Sequence, residues 1–241
     1  MKNFLIALAI IAAAAGAVFC QSVTITAKTV EYKRPKPESE FKKTFSVTYP
    51  KVSGVSPSLA AKIEKTISYE NVLKLDLKDE MGEYQWLEEA TYEVGFNGRG
   101  VLSLYLSMSG TAAYPSVFGK NVVVNLNTGN AVAPADVFEN LDKLAEKCAE
   151  IQKKEIADQL KTIEKDEPDF LESAKEYLAE AKFTSENLEG FSVNADGVTF
   201  VYDYGFPHVA QALEPSGSYL IRWSDLKPFV QRQGLLGKFV N

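Results

Sequence analysis

Two runs of alternating side chains, Trp86 to Phe96 and Val101 to Met108, are separated only by Asn97-Gly98-Arg99-Gly100. That spacing commits the chain to a hairpin, because the linking residues accept positive φ and the alternation gives each strand one core face and one wet face. The same grammar returns near the end. Phe191 to Val193 and Val198 to Tyr204 flank Asn194-Ala195-Asp196-Gly197, and Ser218 to Trp223 supplies a further strand. Between the two sets lies a different period: Leu141, Leu144, Ala145, Cys148, Ile151, Ile156, Leu160 and Ile163 recur at helical spacing, with Lys and Glu on the opposite face read as solvated charge.

The remaining segments fill in around these. Phe45, Val47 and Tyr49 alternate with Thr44, Ser46 and Thr48, which predicts a strand. Ser56-Pro57 opens a helix expected to run to about Leu73. Asn121 to Leu126 reads as a strand that turns at Asn127-Thr128-Gly129-Asn130, with Asp136 able to cap the next segment. After Asp166-Glu167-Pro168 breaks the long helix, Asp169 to Lys182 makes a shorter one, and Ser224 caps a terminal helix ended by Gly234. Strands, two helices, more strands and a closing helix predict an α+β domain, a mainly antiparallel sheet with helices packed on one side and the other side partly open.

Residues 1–20 read as an export signal, with one Lys, an apolar run from Phe4 to Ala15 and then small residues. A membrane anchor would need about 20 apolar residues, and the run is shorter. Cys20 invites comparison with a lipid-modified cysteine, but Phe19 stands where such sites place a small residue. With the signal removed, Cys148 is the only thiol, so no intramolecular disulfide is available. It lies on the apolar stripe of its helix and is expected to be a small buried hydrophobe. Residues 21–43 contain EYKRPKPESEFKK, read as a charged, proline-stiffened linker. The folded part then spans 44–241, as one domain or as two packed lobes, 44–110 and 111–241. Loss of the signal removes Lys2 alone and takes the net charge from −6 to −7. Such acidity argues against nucleic acid or an anionic lipid surface and is compatible with a basic protein partner.

The reactive inventory is thin. His208 is the only histidine, in the loop Gly205-Phe206-Pro207-His208. A metal site would need several converging ligands beside it, and no metal or other cofactor is expected. No Gly-x-Ser-x-Gly elbow, phosphate-binding glycine loop or dinucleotide fingerprint is present. Glu88-Glu89 on a strand point to opposite faces, and Asp166-Glu167 sits in a helix break, so neither pair is read as the two facing acids of a glycosidase. The aromatics Trp86, Tyr92, Tyr105, Tyr114, Tyr202, Tyr204 and Trp223 alternate along strands, where they serve as core or, if exposed, suit sugar faces or a protein partner.

The order of motifs resembles an extracytoplasmic domain family of unknown function that includes the sensor half of the RsiV anti-sigma factor and the N-terminal region of the PdaC peptidoglycan deacetylase. Tyr114-Pro115-Ser116, the strand from Asn121 with its Asn127-Thr128-Gly129 turn, and Pro134-Ala135-Asp136-Val137-Phe138 resemble its "YP, strand, tGk, dlF" progression. Asn194 to Phe200, Tyr204 to Pro207 and Ser218 to Leu226 are similar to motifs of its second half, and Phe45 to Pro50 to the strand that often precedes it. The loop Val209 to Pro215 is longer than the family's compact turn. Neither anti-sigma signalling nor deacetylation is expected of this chain. The resemblance implies a non-catalytic binding domain outside the cytoplasm, periplasmic or secreted, whose partner is a peptidoglycan fragment or a basic lysozyme-like protein. The candidate ligand-binding residues are Tyr114, Tyr202, Tyr204, His208 and Glu214. The alternative is an envelope hydrolase using His208 with nearby carboxylates.

Overall fold

The structure, a computed structural model, describes residues 22–82 and 84–241. The export signal read at 1–20, Cys20 included, lies outside the described residues. Among the described residues, eight strands form two sheets. The larger has the order β1 (Thr24–Lys33), β2 (Thr44–Ser53), β3 (Leu87–Gly98), β4 (Val101–Thr111) and β5 (Pro115–Asn125). All neighbours are antiparallel except β2 and β3, which run parallel through Ser46 opposite Glu89 and Val47 opposite Ala90. A parallel pair needs a crossover. Here α1 (Pro57–Thr66), α2 (Tyr69–Val72) and α3 (Leu77–Met81) make it, and they cover one face of the sheet. Ile63, Ile67 and Tyr69 meet Leu102, Leu104, Leu106, Val122 and Val124 in the first core.

Side chains alternate across a strand. Val101 and Val123, one position off, therefore face the second core. That core is built from α4 (Leu141–Asp166), the small sheet β6 (Ser192–Val193), β7 (Gly197–Val201) and β8 (Ser218–Arg222), and the short α6 (Trp223–Leu226), while α5 (Leu171–Leu178) packs on α4 beside a separate small cluster. The result is an α+β fold. Both hairpins lie where the local grammar puts them. At the β3–β4 turn Arg99 and Gly100 take φ values of 48° and 71°, the tight geometry that matches strand twist.

Several expectations are corrected. The segment read as a linker contains β1, paired along its whole length with β2. Its charges mislead because Arg34 is 2% exposed: the guanidinium donates to the carbonyls of Lys42, Glu80 and Leu87 and to the Glu80 carboxylate, and stacks over Phe45. A lobe boundary at 110 would cut β4, which pairs with β5 from Val101 to Thr111. The helix expected from Pro57 to Leu73 breaks at Ile67, where Ser68 accepts a bond from the Asn71 amide and starts α2. The terminal helix shrinks to α6, and Ser224 lies inside it rather than capping it. Asp136 accepts from the Ala133 amide, holding a 3-10 turn ahead of α4. A bulge between Leu87 and Glu89 interrupts the alternation assumed for Glu88 and Glu89.

Candidate functional site

The five residues singled out from the sequence fall into two places. Tyr202 and Tyr204 follow β7 and pack edge to face at 4.9 Å. The Tyr202 hydroxyl accepts the Lys182 amide, and its own amide donates to Gly217. The Tyr204 hydroxyl donates to Glu155 of α4 at 2.9 Å and lies 2.7 Å from the Tyr219 hydroxyl, which itself donates to Glu155 at 3.0 Å. The other oxygen of Glu155 accepts the Ser216 hydroxyl and the Gly217 amide. Glu214 accepts the Phe206 amide. These groups face inward and hold one another.

The electrostatics fit that enclosure. Burial, then the Tyr204 hydroxyl and the Glu155 carboxylate, hold the Tyr219 phenol well above its ordinary pKa. Burial does the same for Tyr204, outweighing the opposing bond to Tyr219. Both phenols therefore stay neutral donors to the carboxylate. Glu155 and Tyr219 escaped the sequence reading, since Glu155 sits among the lysines and glutamates read as solvated. A signal was available: Cys148, Gln152 and Glu155 follow one another at spacings of four and three on the inner face of α4. Gln152 is buried there and accepts the Phe183 amide.

Tyr114 and His208 form the second place. Between Gly205 and Gly217, both at positive φ (66° and 62°), the chain makes a strap carrying a 3-10 turn from His208 to Leu213. Phe206 and Ala210 root the strap in a small cluster with Leu178, and Gln159 of α4 donates to the Leu213 carbonyl. Its outer end reaches the β4–β5 turn, where the His208 ring stacks on Tyr114 at 4.9 Å and 26°. Tyr114 remains 64% exposed. Beside the stack lies a cavity of about 460 Å³, lined by Glu88, Ser109, Thr111, Ser116, Val117 and Gln211 among others. Tyr114 immediately precedes Pro115 of the lining, and His208 is one 3-10 turn from Gln211, so the stack borders the opening. Lys42 lies 3.7 Å from Glu88 and donates to the Trp86 and Thr111 carbonyls. Trp86 donates to Ser116 and packs on the exposed Phe118.

This arrangement offers an accessible aromatic face beside hydroxyl, amide and carboxylate groups. A larger cavity of about 670 Å³, around Glu139, Lys227 and Arg232, has no aromatic lining. Among the described residues no three His, Cys, Asp or Glu side chains gather as a metal site requires, and His208 makes no ion pair with a carboxylate. Burial pushes the Cys148 thiol up to about 12, so it is inert as a nucleophile. No helix among the described residues is long and apolar enough to cross a membrane.

No protein-family model matches the sequence, and no curated protein matches it significantly. Solved structures do share its fold. A DUF3298-family protein of Pseudomonas aeruginosa PAO1 superposes with a TM-score of 0.62 at 13% identity, over 88% of this chain and 95% of that one. A DUF3298-family member from Bacteroides fragilis NCTC 9343 gives a TM-score of 0.54 at 11% identity, over 90% of this chain and 97% of the other. The chain thus has the fold of a domain family of unknown function, matching nearly the full length of both of those structures.

Proposed function

We propose that this chain is a non-catalytic binding domain working outside the cytoplasm, and that it recognises cell-wall glycan through the aromatic site at Tyr114 and His208. One observation carries the reading: an exposed tyrosine stacked on the lone histidine lies beside a cavity lined by the hydroxyls of Ser109, Thr111 and Ser116 and the Gln211 amide. Sugar rings present C–H faces to aromatic planes and hydroxyls to polar side chains, so that combination suits them. The apolar segment at 1–20 and the likeness of Tyr114-Pro115-Ser116 to the RsiV and PdaC domain motif support the envelope setting. A hydrolase built on His208 finds less support, because a tyrosine ring lies against the imidazole and Glu214 is engaged with the Phe206 amide.

A basic lysozyme-like protein is the second reading, favoured by the net charge of −6. The two separate in one experiment. Sedimentation with insoluble peptidoglycan is expected to retain the protein, and Tyr114→Ala to weaken retention by about tenfold or more, the equivalent of losing one good stacking contact. Lysozyme pull-down that is strong at low salt and lost at high salt, with no glycan retention, moves the assignment to the protein partner. No retention in either assay overturns the binding reading altogether.

A further inference from the structure

The two edges of the large sheet are guarded differently. On β1 the outer edge carries Lys28, Glu31 and Lys33, the kind of charge that keeps foreign strands away. On β5 the run Pro115 to Lys120 is solvent-exposed apart from a half-buried Ser116, with Val117 67% and Phe118 59% exposed. Lys120 is the only charged residue between Val101 and Ala135. The direction of the backbone groups follows from the covered half of the strand. There the Val123 carbonyl and the Asn125 amide bond outward to Val132 and Asn130, so odd-numbered residues face away from β4. The β4–β5 register is unbroken back to Pro115. Val117 and Gly119 therefore present their amides and carbonyls outward, and among the described residues nothing bonds to them.

We propose that this open half of β5 is a self-pairing edge, at which two copies of the chain join antiparallel about a two-fold axis through Phe118 to make one continuous sheet. The inference rests on observations other than the glycan reading, but Ser116, Val117 and Phe118 also line the 460 Å³ cavity, so pairing and glycan binding would meet on the same strip. Charge selects the occupant: two chains that each carry −6 repel over most of their surface and approach at least cost along a strip holding a single lysine. Symmetry then fixes the register. With Phe118 on the axis the two rings meet as a cross-strand pair, Val117 exchanges both backbone bonds with the partner's Gly119, and Lys120 faces the partner's Ser116. Moving the axis two residues on would set lysine against lysine, and past Asn121 the edge is already covered by Asn130 to Val132. An axis through Val117 or Gly119 would set Phe118 against a serine or a lysine and leave the rings unpaired.

Sedimentation equilibrium is expected to show a concentration-dependent dimer without any added ligand. Val117→Pro removes an outward amide and leaves the bonds to β4 intact, so it should weaken dimerisation by about tenfold or more while circular dichroism and melting stay unchanged. Phe118 would sit in a non-hydrogen-bonded pair with Cα atoms about 4.5 Å apart, within disulfide reach. In a Cys20→Ser chain, Phe118→Cys should therefore oxidise to a covalent dimer, as should the Ser116→Cys, Lys120→Cys double variant, whereas neither of those single variants should. A protein that stays monomeric at every concentration, with Phe118→Cys cross-linking no better than Lys120→Cys, overturns the pairing and leaves the edge to a strand of another protein.

Discussion

Two tyrosine clusters in this molecule use the same side chain in opposite ways. At Tyr204 and Tyr219 both hydroxyls are bonded to Glu155, the rings are packed, and the carboxylate also holds the Ser216 hydroxyl and the Gly217 amide at the base of the strap. At Tyr114 the ring has one aromatic neighbour, His208, and most of its surface faces water. The first cluster has little capacity left for a ligand, and the second has little to do with holding the fold. The difference teaches that nearness to a conspicuous loop says little about whether a side chain is free to meet a ligand, while unspent aromatic surface beside a cavity marks one that is.

The largest test strikes the internal cluster. Glu155→Ala would leave the Tyr204 and Tyr219 hydroxyls only each other, so one donor loses its acceptor, and would loosen both the Ser216 side chain and the Gly217 amide; unsatisfied buried donors are costly. A loss of about 2–4 kcal/mol in urea denaturation is expected, with glycan retention of the folded protein unchanged. Glu155→Gln, which keeps an acceptor in place, should lose less. A cost below about 0.5 kcal/mol for Glu155→Ala would place the cluster among ordinary surface contacts and erase the contrast.

The same cluster should show itself at alkaline pH. Its phenols have raised pKa values in the folded state because burial penalises the phenolate. A tyrosine in the unfolded chain ionises near 10. Below that pH both states hold the proton and stability is indifferent to these groups. Above it the unfolded chain releases protons that the folded chain retains, so stability falls as pH rises. Tyr49 and Tyr69 in the first core are raised for the same reason and contribute in the same direction. Tyr219→Phe should therefore flatten, without abolishing, the decline in melting temperature above pH 10, and an unchanged slope would mean that Tyr219 ionises freely.

What the sequence made legible was local. The β3–β4 hairpin and the β6–β7 hairpin are written in turn residues, Arg99 and Gly100 at positive φ in one and Asn194 accepting the Asp196 and Gly197 amides in the other. The long helix is written in its period. What escaped depends on partners distant in the chain. Arg34 looks solvated until the carbonyls of Lys42, Glu80 and Leu87 surround it, and Glu155 looks like any glutamate of a charged face until Tyr204 and Tyr219 close on it. The parallel pairing of β2 with β3 has no local signature either, since it follows from the crossover through α1 to α3. In the candidate site, Tyr114 and His208 were both legible as loop-edge residues, but their contact depends on how the strap folds back on the β4–β5 turn.

The smallest expected effect, and the sharpest, concerns that contact. Tyr114→Ala and His208→Ala remove a ring pair at the surface, where such substitutions cost about 0.5 kcal/mol or less, far below the figure for Glu155. Because both rings belong to one interaction, the double variant should lose less than the two single losses combined. The coupling should be about 0.5 kcal/mol, as for an aromatic pair at the edge of water. Zero coupling would mean that the strap does not rest on Tyr114 in solution, and the border of the cavity would then be set by the β4–β5 turn alone. A coupling of the expected size, together with lost glycan retention in both single variants, would place recognition on the paired rings and stability on Glu155, with neither cluster able to replace the other.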